Sequence, residues 1–136
     1  MLRGMTTVNY RVDDMDAGVA WYTELLGVDP YFKNPGGDAP AAYVEFRIGD
    51  YQHELGLIDA RYRRAEGIGG VVTYWAVDDV QAAFDRLLDL GATEHEKPTA
   101  RGEGFITATV IDPFGNVLGA MENPHYMDML GKFAER

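Results

Sequence analysis

The sequence predicts an α+β protein made of two tandem βαβββ modules. Three observations carry that expectation. A β-rich run leading into a helical stripe occurs twice, with the copies about 65 residues apart. In both copies the periodicity changes from strand to helix at an Asp-Asp pair. Both copies then end in β-rich runs separated by turn residues.

In the first module, residues 6–12 are β-rich and lead into Asp13 and Asp14. Either aspartate suits an N-cap and the positive end of the helix dipole. Met15, Val19, Tyr22 and Leu26 then share one helical face, and Gly27 fits the C-cap, where positive φ is needed. Residues 40–48 and 51–58 are two β runs split by Gly49-Asp50, which predicts a hairpin. The second module repeats the order. Residues 71–77 are β-rich, Asp78-Asp79 follow, and Val80, Ala83, Phe84, Leu87 and Leu88 trace a stripe ending near Leu90-Gly91. A short edge strand is expected over residues 93–97, then a hairpin from Phe105 to Met121. At its turn Asp112 can accept from the backbone two residues on, Pro113 fixes φ, and Gly115 and Asn116 tolerate positive φ.

Residues 33–39 and 98–104 read as loops in matching positions, suited to the rim of a pocket. After Asn123-Pro124, the side chains Tyr126, Met127, Met129, Leu130 and Phe133 suit a short packed helix. The expected division is a single domain, 1–136. It comprises module one over about 5–60, a linker over about 61–69, module two over about 70–122 and a tail helix over about 124–135. The linker region holds a local basic cluster, Arg61, Arg63 and Arg64, and three glycines.

Composition narrows the function classes. The 136 residues are 46% hydrophobic and 25% charged, as expected of one globular domain with a real core. Without cysteine there is no disulfide framework, thiolate metal site or cysteine nucleophile. A net charge of -10 argues against nucleic acid and is compatible with a cationic ligand. No apolar run reaches membrane-spanning length, and no signal-peptide core opens the chain, so a cytoplasmic location is the default expectation.

Arg11-Val12-Asp13-Asp14 with Trp21-Tyr22 and Leu25-Leu26-Gly27 is matched by Val77-Asp78-Asp79-Val80 with Leu90-Gly91-Ala92. Together with the closing Asp112-Pro113-Phe114-Gly115-Asn116 turn, this pattern resembles the vicinal oxygen chelate superfamily. That superfamily includes glyoxalase I, fosfomycin-resistance proteins, extradiol dioxygenases and bleomycin-binding proteins. The resemblance implies that the modules form an incompletely closed, mostly antiparallel barrel around a cup. It also implies a homodimer, and a divalent metal held by His, Gln or Glu from the first and last strands of each module.

Counting to those positions gives a poor donor set. Five residues before Val12 stands Thr7, five before Val77 stands Val72, and four after Gly115 stands Gly119. The fourth position is Glu54 or Gly56, which share strand parity. Valine and glycine side chains cannot ligate, and a threonine hydroxyl is a weak ligand alone. His53, His95 and His125 show no metal-binding spacing. The expectation is therefore no cofactor, with a divalent metal disfavoured.

Parity instead lines the cup with Thr7, Asn9 and Arg11, with Val72, Tyr74 and Ala76, and with Val117, Gly119 and Met121. Tyr43, Glu45 or Phe46 are candidates from the middle strand, with register open, and Arg11 is a candidate partner for Glu54 across the cup. Gly119 either eases a strand bend or leaves the cup enlarged. The expected ligand set is Thr7, Asn9, Arg11, Glu54, Val72, Tyr74, Gly119 and Met121, mixing aromatic, aliphatic and polar walls suited to a small organic molecule. Three functions remain open: a metal-free protein that binds a drug or metabolite, an enzyme using an unusual metal site or acid/base catalysis by Glu54, and a structural or regulatory module.

Overall fold

A computed structural model describes residues 1, 3, 5–62 and 72–135. The chain runs β1 (Thr7–Val12), α1 (Met15–Leu26), β2 (Phe32–Asn34), β3 (Tyr43–Ile48), β4 (His53–Asp59), β5 (Thr73–Ala76), α2 (Val80–Asp89), β6 (Thr93–Gly102), β7 (Phe105–Ile111), β8 (Val117–Glu122) and α3 (Pro124–Ala134). It divides into two compact units, Met1–Gly69 and Gly70–Arg136. The repeat is visible in their topology. One unit holds a four-stranded sheet in the order β1-β4-β3-β2, the other a sheet in the order β5-β8-β7-β6. In each, the first strand pairs parallel with the last and the other neighbours are antiparallel. This is the expected α+β architecture of two tandem βαβββ modules. Most of the expected linker, from Arg63 onward, lies outside the described residues.

The Asp-Asp pairs act through their second member. Asp14 accepts from the Ala17 amide at 3.0 Å, and Asp79 accepts from the Ala82 amide at the same distance. Each satisfies an amide that the first helical turn leaves without an intrahelical acceptor. Gly27 ends α1 at φ 70°, a left-handed conformation that Cβ-bearing residues adopt only at a steric cost.

Strand alternation gives each sheet one face for its helix. In the first unit Tyr22 of α1 is fully buried and stacks on Tyr10 of β1, with ring centroids 5.7 Å apart. Close approach is possible because Gly18 has no side chain: a Cβ there would meet Val12 Cγ1 at 2.8 Å. Val44, Phe46, Leu55 and Leu57 complete that core. In the second unit α2 packs on β6, β7 and β8, burying Val80, Phe84 and Leu87 beside a sheet face that carries Ala108, Val110, Leu118 and Ala120.

Three boundaries differ from expectation. Lys33 and Asn34 are strand rather than loop, because β2 pairs antiparallel with β3 through Phe32–Glu45, Lys33–Val44 and Asn34–Tyr43. The edge strand β6 continues to Gly102, through Pro98, because shifts in its register against β7 absorb residues that a regular ladder could not hold. Tyr51 and Gln52 belong to the turn, with Gln52 at φ 54° and its amide donating to the Gly49 carbonyl at 3.2 Å. No helix among the described residues is long and apolar enough to cross a membrane.

Candidate functional site

Opposite its helix, each sheet presents a second face. In the first unit the strand registers arrange that face in three rows. Thr7, Glu54 and Arg47 form one, Asn9, Gly56, Glu45 and Phe32 the next, and Arg11, Ile58, Tyr43 and Asn34 the third. Tyr43 and Glu45 therefore lie on this face, whereas Phe46 is fully buried on the helix side.

Two carboxylates centre this face. Glu54 accepts from Thr7 Oγ1 at 2.7 Å and pairs with Arg47 Nη2 at 3.0 Å. Glu45 accepts from the hydroxyls of both Tyr31 and Tyr43, one on each oxygen. Burial, and then the nearby charge of Glu54, pushes the Glu45 carboxyl above its ordinary range, with Arg47 opposing. The same two causes raise the Tyr43 phenol. Arg47 also lies over the Tyr31 ring, 5.0 Å from its centroid. Phe32 sits between the tyrosines, 6.4 Å from Tyr31 and 6.3 Å from Tyr43 by ring centroid.

Tyr31 and Arg47 are absent from the sequence-derived set. Arg47 shares parity with Glu45, so alternation along β3 marks it. Tyr31 precedes β2 and carries no periodic signal; a backbone bond from its amide to the Glu45 carbonyl, 3.0 Å, places it. Arg11 lines up with Ile58 rather than Glu54, whose partners are Thr7 and Arg47.

In the second unit Tyr74 pairs with Gly119 and Ala76 with Met121. Thr109 and Thr107 continue those rows on β7. Thr109 is bonded to His95 Nδ1 at 2.8 Å, and Thr107 accepts from Arg101 Nε at 3.0 Å. Val72 and Tyr74 are 40% and 42% exposed, so this side of β5 is open to ligand or solvent.

The two modules correspond residue by residue along these strands. Asn9 pairs with Gly56 as Tyr74 pairs with Gly119. Gly56, not Glu54, is thus the counterpart of Gly119. Neither glycine leaves a vacancy. A Cβ on Gly119 would meet Tyr74 Cδ1 at 2.5 Å, and one on Gly56 would meet the Tyr43 hydroxyl at 2.5 Å and Cε1 at 2.6 Å, as well as Asn9. Of the two readings of Gly119, the enlarged cup does not fit its surroundings, because the Tyr74 ring covers it. Among the described residues no group of three or more His, Asp or Glu side chains is arranged to hold a metal ion.

A separate cleft of about 560 Å³ lies in the first unit, between α1 and residues 38–41, with Val44 and Ala41 at its floor. Asp59 borders it, 8% exposed and chelated by Arg61 through Nε at 3.1 Å and Nη2 at 3.0 Å. These hydrogen bonds hold the Asp59 carboxyl below its ordinary range.

Two tandem βαβββ units, each with a helix-covered face and an opposite face bearing polar groups, define a glyoxalase-type α+β protein. Residues 4–119 match the Glyoxalase/Bleomycin resistance protein/Dioxygenase superfamily, and the chain belongs to that superfamily. A glyoxalase-related enzyme from Fulvimarina pelagi has a similar structure, with TM-score 0.69 and 19% identity over 90% of each chain. A superfamily member from Sphaerobacter thermophilus matches with TM-score 0.69 and 19% identity over 90% of this chain and 98% of that one. A lactoylglutathione lyase from Agrobacterium tumefaciens matches with TM-score 0.66 and 22% identity, over 90% and 95%. At such identities the likeness is one of fold. No curated protein sequence matches the chain.

Proposed function

We propose that this protein binds a small organic molecule on the open face of its first unit and does so without the divalent metal of its superfamily. One observation carries the reading. The resemblance expects ligands at Thr7, Val72, Gly119 and either Glu54 or Gly56; the register aligns Gly56 with Gly119, and the space beside both glycines is filled by Tyr43, Asn9 and Tyr74. This donor set does not fit a divalent ion, which needs several imidazole or carboxylate ligands. What the face offers is hydrogen-bonding and aromatic chemistry: Thr7, Asn9, Arg11, Tyr43, Glu45, Arg47 and Glu54. Val72, Tyr74, Gly119 and Met121 are the corresponding candidates in the second unit. Metal analysis of protein purified without chelators tests the reading together with a thermal-shift screen of small organic compounds. The expected result is substoichiometric metal and a saturable rise in melting temperature with one compound class. Stoichiometric metal whose removal abolishes ligand binding overturns it.

The carboxylate pair supports a second reading, metal-free proton transfer. Glu54, as the anion paired with Arg47, is the candidate base, and Glu45, with its raised carboxyl, is the candidate acid. Isotope exchange into a bound carbonyl compound, lost in Glu54→Gln, distinguishes this enzyme from a binding protein. A homodimer, proposed from the resemblance, is tested by light scattering in solution.

A further inference from the structure

We infer that the open face of the first unit selects an organic cation, held against the exposed rings of Phe32 and Tyr31 and beside Tyr43 and the Glu45 carboxylate. This rests on the proposed ligand site and names the class of molecule that fits it. Three features combine here. The three rings form a connected cluster, with neighbouring centroids 6.3 and 6.4 Å apart, and Tyr31 and Phe32 are 50% and 47% exposed. Aromatic faces carry negative potential and attract ammonium and guanidinium groups. The site already displays that preference, since the Arg47 guanidinium lies 5.0 Å from the Tyr31 ring centroid.

Charge supplies the third feature. The face holds two carboxylates close enough for one to perturb the other, and only Glu54 is matched by an ion pair, to Arg47. Glu45 has two phenol donors and no ion pair among the described residues. Phenol hydrogen bonds orient its oxygens without neutralising them. The groups facing Glu45 are Tyr31 before β2, Tyr43 and Arg47 on β3, and Glu54 on β4, with Arg11 on β1 farther across the face in the Tyr43 row. Arg11 balances the face as a whole, while the charges that act on Glu45 (those of Arg47 and Glu54) leave its immediate surroundings negative when both carboxyls are ionised. Burial raises the Glu45 carboxyl most and the Glu54 charge adds to it, and a cation bound against Glu45 offsets that second contribution. A neutral ligand of the same shape gains the rings but not the charge.

Choline and its uncharged isostere 3,3-dimethylbutan-1-ol provide the test, titrated into the full chain and followed by NMR of the Tyr31, Phe32 and Tyr43 rings. Saturable choline binding at least about ten-fold tighter than that of the alcohol is expected. Glu45→Gln and Phe32→Ala should each weaken it about five-fold or more. Asp89→Asn, which removes one exposed charge in the second unit, should leave it unchanged. Equal affinity for both probes, or full choline binding by folded Glu45→Gln, overturns the cation assignment while leaving a small-molecule site in place. Absence of saturable choline binding also overturns it. If the broader compound screen finds no ligand either, the site itself fails.

Discussion

The ring of Tyr74 lies over the backbone of Gly119, so that a Cβ on the glycine would sit 2.5 Å from Tyr74 Cδ1 and 3.0 Å from the Thr73 carbonyl oxygen. The two residues are register partners in the parallel β5–β8 pair. A tyrosine and a glycine thus share one space on a strand where the superfamily resemblance expects a ligating side chain.

Substituting Gly119→Ala should cost about 1–3 kcal/mol, because the added methyl must displace the ring or the strand. Tyr74 is 42% exposed and can swing outward, which favours the lower end of that range. In a Tyr74→Ala background the cost should shrink, so the two substitutions are non-additive. Urea denaturation of the four proteins in the cycle measures the coupling. Additive costs would show that the steric relationship has no energetic weight.

Two carboxylates should shape the pH dependence of stability in opposite senses. Asp59 has its carboxyl lowered by Arg61, so it contributes stability that is present above the unfolded carboxyl value and lost as pH falls through the lower folded one. Glu45 has a raised carboxyl, so its contribution is full below the unfolded value and disappears as pH rises through the higher folded one. Melting temperatures measured from acid to neutral pH should therefore show Asp59→Asn flattening the acid limb. Glu45→Gln should remove the decline on the higher side. A wild-type-like profile in Glu45→Gln would mean that the raised carboxyl makes no measurable contribution.

Tyr43 offers a sharper probe of the same group. Its hydroxyl donates to Glu45, and a donor stabilises the ionised carboxylate. Tyr43→Phe should move the Glu45 carboxyl further up, read directly from side-chain carbon shifts in an NMR titration. No movement, or a downward one, would show that the phenol does not act as the donor.

Most of the architecture is written locally, and the site only partly so. Asp14, Asp79 and Gly27 announce their helix ends because capping chemistry depends on side chains a few residues apart. Strand β2 has no such signature. Its three residues are exposed and held by backbone pairing to β3, which leaves no hydrophobic alternation to read. Pro98 argues against a strand, yet an irregular edge accommodates it. The ligand positions implied by the resemblance brought Thr7 and Glu54 to one face, and they bond at 2.7 Å. Parity could not decide between Glu54 and Gly56 as the counterpart of Gly119, because both face the same way. Only the cross-strand partner decides it, and that partner lies 47 residues from Gly56 at Asn9. Tyr31 was illegible for the same reason, since it reaches Glu45 across the sheet rather than along the chain.

The closing hairpin turn is the place where a single substitution should cost most for its size. Asp112 is 3% exposed and accepts from three donors of its own turn: the Phe114 amide at 2.9 Å, the Asn116 amide at 2.8 Å and the Asn116 side-chain amide at 2.8 Å. Gly115 completes the turn at φ 88°, and its amide donates to the Asp112 carbonyl at 3.2 Å. Asp112→Ala removes the acceptor of two backbone amides at once and should cost about 2–3 kcal/mol, since both donors lose their partner in a turn that is only partly open to water. Asn116→Ala keeps both backbone bonds to Asp112 and loses the side-chain one, so its cost should stay near 1 kcal/mol. The ratio matters more than either value. Because β8 begins at Val117 and carries Gly119 and Met121, loosening this turn should also raise hydrogen exchange along β7 and β8 while leaving β1–β4 protected. Equal costs for the two substitutions in chemical denaturation would place the stabilisation in the Asn116 side chain instead of the Asp112 carboxylate.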